Sequence, residues 1–163
     1  MLSYQVTQRL MSVASYFDVR PERSDVVVMT VKGTLMTATP IFTLVEGTDG
    51  KDLGTLKGNF TKTKFQVYDQ AGKEQASLEF PSIAIRKTLT MSIGGKPYSA
   101  DSGLGMFNYS FRVVDPEGKL GLDLERESSV LRDRFKLTAG EGVSTETAVL
   151  ASIAIHARYF ALI

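Results

Sequence analysis

The segment that ends the chain, residues 144–163, reads STETAVLASIAIHARYFALI and decides between the folds that the rest of the sequence allows. Ser144, Thr145 and Glu146 are typical of a helix start, with a hydroxyl at the N-cap and a carboxylate in the first turn. The run that follows has no wide polar stripe before Arg158. A helix that is apolar on all sides is buried, either in a protein core or in a bilayer.

The preceding sequence repeats one hairpin-sized unit six times, at intervals of 22 to 25 residues. Each unit places an aromatic residue or Leu two positions before a second apolar residue, and the residue between them is usually polar. This period of two is typical of strands that are buried on one face, and the regular spacing indicates an internal repeat. The apolar pairs are Phe17/Val19, Phe42/Leu44, Phe65/Val67, Leu89/Met91, Phe111/Val113 and Phe135/Leu137.

Both arms of the hairpins, together with an opening strand around Tyr4 to Leu10, give twelve predicted strands. They span about residues 3–11, 15–20, 26–33, 40–46, 52–59, 63–69, 74–80, 87–93, 96–101, 106–115, 119–126 and 131–137. Such strands suit a sandwich or a closed barrel, and closure removes exposed edges. The last unit has no obvious partner strand after it.

The C-terminal helix favours the barrel. About eight strands already enclose the widest lumen that their own side chains fill easily, so twelve strands need a further occupant. We therefore predict one mainly β domain over residues 1–163: a closed antiparallel barrel of about twelve strands with a buried apolar helix, about 144–163, through its centre.

A membrane anchor is the competing interpretation of the same segment. Residues 147–163 reach only the short limit of a membrane span, which needs about 20 residues. The segment also carries His156 and Arg158, and charged side chains within a bilayer are costly. Both observations favour the buried helix.

Composition excludes several classes of site. The chain has no Cys and a single His, which excludes disulfides, thiolate catalysis, Cys-ligated zinc and a multi-histidine metal centre. We expect no cofactor and no metal. The net charge of +1 gives no bulk attraction to nucleic acid or to an anionic membrane, so an anion site would have to be a local patch. The N-terminal segment lacks the apolar core of a signal peptide, so we expect a cytoplasmic location, with peripheral attachment to a membrane as an open alternative.

His156 has two interpretations. One is a pH-sensitive or proton-transferring group, because His titrates near neutrality. The favoured one is a core His with a hydrogen-bonded partner, as is usual for buried polar groups. No converging acid, base and nucleophile is visible elsewhere, so we do not expect an enzyme.

Several segments in a fixed order resemble the LURP-one-related family of the tubby C-terminal and phospholipid scramblase superfamily. They lie at residues 4–10, 15–19 and 31–33, in the related units 65–69 and 111–115, and in the terminal helix at 149–155. The resemblance covers nearly the whole chain. It implies a twelve-stranded barrel around a C-terminal helix, and a non-catalytic binding module or scaffold. Its ligand would be an anionic phospholipid headgroup, or a protein partner, on the outer barrel wall.

The superfamily also implies an alternative, a membrane-attached, scramblase-like lipid-handling protein that uses the C-terminal segment as its anchor. This chain has no cysteine cluster for palmitoylation, and residues 138–144 carry one carboxylate. Calcium usually takes six to eight oxygen ligands, so we do not predict a calcium site.

Two groups of basic residues are the candidate anion or headgroup sites. A phosphate site needs several cationic donors that converge. Lys57, Lys62 and Lys64 cluster around the connection at residues 58–61, while Arg132, Arg134 and Lys136 alternate along one strand face. The other interpretation is ordinary solubilising charge on a solvated wall, balanced by Glu79, Asp123 and Glu125.

Overall fold

The computed structural model describes residues 2–9, 15–34, 38–83, 87–101, 110–127 and 134–160. Twelve antiparallel strands form a closed barrel in which neighbours in sequence pair and β1 also pairs with β12. The predicted fold is thereby confirmed. The strands are β1 (Ser3–Gln8), β2 (Tyr16–Pro21), β3 (Met29–Gly33), β4 (Ile41–Glu46), β5 (Asp52–Gly58), β6 (Lys64–Asp69), β7 (Glu74–Glu79), β8 (Thr88–Ile93), β9 (Lys96–Asp101), β10 (Ser110–Val114), β11 (Leu120–Glu127) and β12 (Arg134–Ala139).

The predicted strand bounds agree closely with the observed ones, with a few exceptions. Strand β3 begins at Met29 rather than at 26, and β1 ends at Gln8 rather than at 11. The predicted residues 10–11, 106–109 and 131–133 lie outside the described part of the chain. The partner that the last unit lacks in sequence is β1, whose Val6 stands opposite Phe135.

The alternation of apolar and polar residues predicts which side chains face the lumen. Eleven of the twelve apolar repeat residues are buried, and Phe42 is partly buried against the same core. The residues between them, such as Gln66, Thr90 and Arg112, are exposed on the outer wall. The wall therefore has a dry inner face and a solvated outer face around its circumference.

The C-terminal segment fills the lumen. Helix α1 (Thr145–Ile155) begins after Ser144, whose hydroxyl accepts a hydrogen bond from the Thr147 amide at 3.2 Å, and a π-helical turn at His156–Phe160 continues it. Every residue from Thr147 to Ile155 is buried. The helix contacts β4, β5, β6, β7, β11 and β12. This confirms the predicted buried helix.

The barrel has two different rims, because the connections of an antiparallel barrel alternate between its ends. The helix-start rim carries the connections 22–28, 47–51, 70–73, 94–95 and 115–119, together with 140–144, which leads into α1. The helix-end rim carries the other connections, including 59–63 between β5 and β6 and 80–87 between β7 and β8. At this rim Arg158 donates to the carbonyl oxygen of Pro81 at 2.7 Å.

Among the described residues, β9 and β10 share the fewest register pairs of any neighbouring strands, namely Val114 with Ser99. An ion pair spans this seam at the helix-start rim, where the Lys96 Nζ lies 2.8 Å from Asp115 Oδ2. The other oxygen of Asp115 accepts hydrogen bonds from the amides of Glu117 and Lys119. Asp115 thus organises its turn and links the two strands.

Candidate functional site

The connection between β5 and β6 is organised by Asn59. Its side-chain oxygen accepts hydrogen bonds from the amides of Thr63 at 2.8 Å and Lys64 at 3.1 Å, and its Nδ2 donates to the Thr63 hydroxyl at 2.9 Å. Asn favours this role because its short side chain bonds readily to nearby backbone groups. The connection is consequently held in one shape by its own side chains.

An aromatic ring stands exposed in this connection. Phe60 is 77% exposed, although burial of an aromatic side chain removes a large apolar area from water. Lys57 is the next-to-last residue of β5, Lys62 follows Phe60 in the turn, and Lys64 begins β6. We call these four residues the Phe60 cluster: one exposed apolar side chain and three lysines on the same connection and its flanking strand ends.

The lysines of the Phe60 cluster are not neutralised by close carboxylates. Among the described residues, none of the three has a carboxylate within ion-pair distance. The Lys57 ammonium lies 5.4 Å from the ring centroid of Tyr68, and Lys64 faces Glu79 across the strands. Their charge is therefore accessible to an anionic partner.

Lys62 has an unusual backbone conformation. Its φ of +57° lies in the left-handed region, which costs an L-residue other than Gly, Asn or Asp about 1–2 kcal/mol. Its amide donates to the carbonyl oxygen of Asn59 at 3.1 Å. The turn thus holds a lysine where Gly or Asn would fit at lower energy.

A second exposed apolar side chain lies in the neighbouring connection of the same rim. Ile83 is 89% exposed. The two connections are joined by a hydrogen bond from the Phe80 amide to the Thr63 carbonyl oxygen at 2.8 Å. Arg158 binds the second connection from the helix side through the carbonyl oxygens of Pro81 and Ser82. Phe60 and Ile83 therefore stand on adjacent, anchored parts of one rim.

The second predicted group lies elsewhere on the barrel. Strands β5 and β12 are separated by β1 to β4, so Arg134 and Lys136 do not join the Phe60 cluster. Lys136 Nζ lies 3.3 Å from Glu22 Oε1, which reduces its availability to a ligand. Arg132 lies outside the described residues. The structure thus brings Lys57, Lys62 and Lys64 together and leaves the other group apart.

Charge is distributed unequally between the rims. In the described residues, the helix-start rim carries Arg20, Arg23, Lys51, Lys73, Lys96 and Lys119 against a larger acidic set: Glu22, Asp25, Glu46, Asp49, Asp52, Asp69, Glu74, Asp115, Glu117, Glu141 and Glu146. The helix-end rim carries mainly bases: Arg9, Lys57, Lys62, Lys64, Lys87, Arg126, Arg134 and Arg158. Its acidic residues are fewer and include Asp18, Glu79 and Glu127. Asp18 pairs with Arg9 at 2.8 Å. The net charge of the chain is therefore near zero although one rim is mainly acidic and the other mainly basic.

Lys87 shows how crowded the cations of the helix-end rim are. Partial burial lowers the pKa of its ammonium, and the nearby Arg126 guanidinium lowers it further. Like charges at close range favour the neutral form of a lysine. Lys87 and Arg126 thus place two further cations close to each other on this rim.

His156 lies in the core and away from the rim surfaces. Its ring makes an edge-to-face contact with Phe17, with centroids 5.2 Å apart, and also packs near Phe135. It is 3% exposed. This placement agrees with the predicted core histidine.

The outer wall also has a shallow groove of about 550 Å³ over β7, β8 and β9. Small hydroxyl side chains line it, namely Ser77, Thr90, Ser92 and Ser99, beside the carboxylate of Glu79. The groove offers hydroxyl groups and one negative charge. It is therefore a poorer candidate for an anion than the Phe60 cluster.

Sequence reasoning identified the lysines but missed Phe60 and Ile83 as site residues. The available signal was an aromatic residue inside a polar turn, between Asn59 and Thr61. Sequence alone does not show whether such a ring folds back onto the barrel or points into solvent.

Within the described residues, no group of His, Asp and Glu side chains is arranged to hold a metal ion. In the same part of the chain, no helix combines the length and the apolar character needed to cross a membrane. Comparisons with protein-family models and with curated proteins gave no match for this sequence.

Proposed function

We propose that this protein is a non-catalytic binding module that attaches peripherally to anionic phospholipid surfaces through its helix-end rim. The observation that carries the proposal is the Phe60 cluster, in which one exposed ring and three lysines share one connection and the strand ends that flank it. Among the described residues, none of these lysines has a carboxylate within ion-pair distance. The resemblance to LURP-one-related and tubby-like proteins supports the same class of function. A cytoplasmic membrane face fits best, because its anionic lipids attract basic segments.

Electrostatics gives the proposal a magnitude. A lysine close to an anionic bilayer contributes about 1 kcal/mol, and the effect decays within a Debye length of about 8 Å at physiological salt. Three lysines at one rim contribute about 3 kcal/mol, or about two orders of magnitude in affinity. The acidic residues of the helix-start rim oppose binding by that end.

Liposome co-sedimentation tests the proposal directly. The wild-type protein should pellet with vesicles of phosphatidylcholine and phosphatidylserine, and not with phosphatidylcholine alone. A variant with Lys57, Lys62 and Lys64 changed to Ala should bind about 100-fold more weakly. The matched control changes three exposed lysines of the helix-start rim, Lys51, Lys73 and Lys119.

The control variant should pellet like the wild type or better. Equal pelleting of the wild type on neutral and anionic vesicles, or equal loss in the two triple variants, would overturn the proposal. Binding that appears only with a cell extract, and never with lipid, would point to a protein partner instead.

The scramblase-like alternative places the C-terminal segment in the bilayer. That arrangement requires α1 to leave the lumen, where Thr147 to Ile155 are buried. Removal of residues 147–163 separates the two proposals. A truncated protein that stays folded and loses only membrane attachment would favour the anchor, whereas unfolding would show that the segment is needed in the lumen and count against the anchor.

A further inference from the structure

Two exposed apolar side chains of the helix-end rim carry a further inference, which rests on the proposed function. Phe60 and Ile83 are the two most exposed large hydrophobic residues in the described part of the chain. They stand on adjacent connections that a hydrogen bond between Phe80 and Thr63 joins. They therefore form a pair of apolar points on one end of the barrel.

The described part of each connection is held by hydrogen bonds from side chains. Asn59 bonds across the first connection, and Arg158 holds the carbonyl oxygens of Pro81 and Ser82 in the second. Side chains on a preorganised backbone lose little conformational freedom when they bind. The side chains of Phe60 and Ile83 can therefore meet a partner without a rearrangement of the barrel.

The surrounding charge indicates which partner fits. Lysine stems pack along apolar surface while their ammonium groups stay in water, so cations around an apolar tip suit the headgroup region of a bilayer. The apolar tip then meets the acyl boundary just below. The opposite rim is rich in acidic residues, and an anionic surface repels it.

We propose that Phe60 and Ile83 insert together below the headgroups of an anionic bilayer, so that the barrel stands on its helix-end rim. The lysines of the Phe60 cluster then lie at the level of the phosphates. The helix-start rim faces away from the membrane, where its acidic turns are left free for other contacts.

The absence of Trp from the sequence allows a clean test with single-Trp reporters. Phe60→Trp and Ile83→Trp report on the helix-end rim. Val26→Trp is the matched control, because Val26 is 65% exposed in a connection of the opposite rim. Each full-length variant is mixed with phosphatidylcholine/phosphatidylserine vesicles, with and without brominated acyl chains that quench Trp at the membrane.

We expect the emission of the Phe60→Trp and Ile83→Trp variants to shift to the blue and to be quenched by brominated lipid. The Val26→Trp variant should show neither change. Soluble glycerophosphoserine should leave all three emissions unchanged, which separates a bilayer from a free headgroup as the ligand.

Serine substitutions give an independent measure. Changing Phe60 and Ile83 together to Ser should weaken pelleting on anionic vesicles by at least about tenfold, because apolar burial is lost. Val26→Ser should have no effect. Both positions are exposed, so the variants should fold normally, as circular dichroism can verify.

The outcomes separate the two proposals. Pelleting that depends on the lysines, without any response of Trp at position 60 or 83, overturns insertion and leaves the proposed function standing. An equal response of the Val26→Trp variant overturns the orientation. No pelleting of the wild type on any vesicle overturns both proposals.

Discussion

Replacement of Leu150 by Ala tests whether the helix is the structural core of the barrel. Leu150 is 0% exposed in the middle of α1. Its Cδ1 would lie only 3.2 Å from a Cβ added at Gly54, so helix and wall are in close contact there. The substitution removes side-chain volume from a site with little space around it.

The expected loss has two parts. Three methylene-sized groups lose burial, at about 0.8 kcal/mol each, which gives about 2.4 kcal/mol. A residual cavity adds a further penalty of about 24 cal/mol per Å³. A hydrogen-bonded, closed wall cannot collapse far onto a thinner helix. We therefore expect a total near 4 kcal/mol, a large share of the 5–15 kcal/mol typical of a whole domain.

Urea unfolding followed by far-UV circular dichroism measures this loss. The midpoint should fall while the slope of the free energy against urea concentration stays constant, because a changed midpoint at constant slope reports stability. Leu2→Ala is the control, since Leu2 is 63% exposed and should change the free energy of unfolding by less than about 0.5 kcal/mol. Equal losses in the two variants would refute the assignment of α1 as the core.

Two further predictions concern the turns. Lys62→Asn should raise the free energy of unfolding by about 1 kcal/mol, because Asn tolerates the left-handed region, and should weaken pelleting on anionic vesicles about fivefold. Arg23→Asn, where φ is +66° on the opposite rim, should stabilise similarly without weakening pelleting, and equal weakening would contradict the assignment of the site. The neighbouring Lys96 ammonium lowers the pKa of the Asp115 carboxyl. The ionised carboxylate therefore stabilises the fold at pH values above the unfolded pKa of Asp, about 3.9. This stabilisation is lost as the pH falls through the lower pKa of the folded state. The stability advantage of the wild type over Asp115→Asn should therefore be constant from pH 5 to 7 and shrink below about pH 4 in urea unfolding, and an advantage that grows on acidification would count against this role.

Much of the fold was predictable because its signals are local. Alternation at Phe65, Val67 and the equivalent positions identifies each strand and the face that points inward. The run after Thr147, which has no wide polar stripe before Arg158, identifies a helix that needs burial on all sides. Together these signals define both the barrel and its contents.

The remaining features depend on contacts between distant residues. The pairing of Val6 with Phe135 joins the first strand of the barrel to the last. No local sequence pattern specifies that register. The ion pair of Lys96 with Asp115 likewise joins two separate hairpins. The direction of the Phe60 side chain depends on how Asn59 bonds across its own turn, which is a three-dimensional property.

The filled lumen restricts where this protein can bind a partner. With α1 enclosed by the wall, contacts must form on the outer face or at the rims. Unfavourable φ alone does not identify the site, because Arg23 shares it with Lys62. At Lys62, however, it coincides with an exposed ring, two further lysines and the basic end of the barrel. A requirement for solubility does not explain that combination. A soluble surface would be better provided by a polar residue in place of Phe60, and Asn in place of Lys62 would remove the backbone strain.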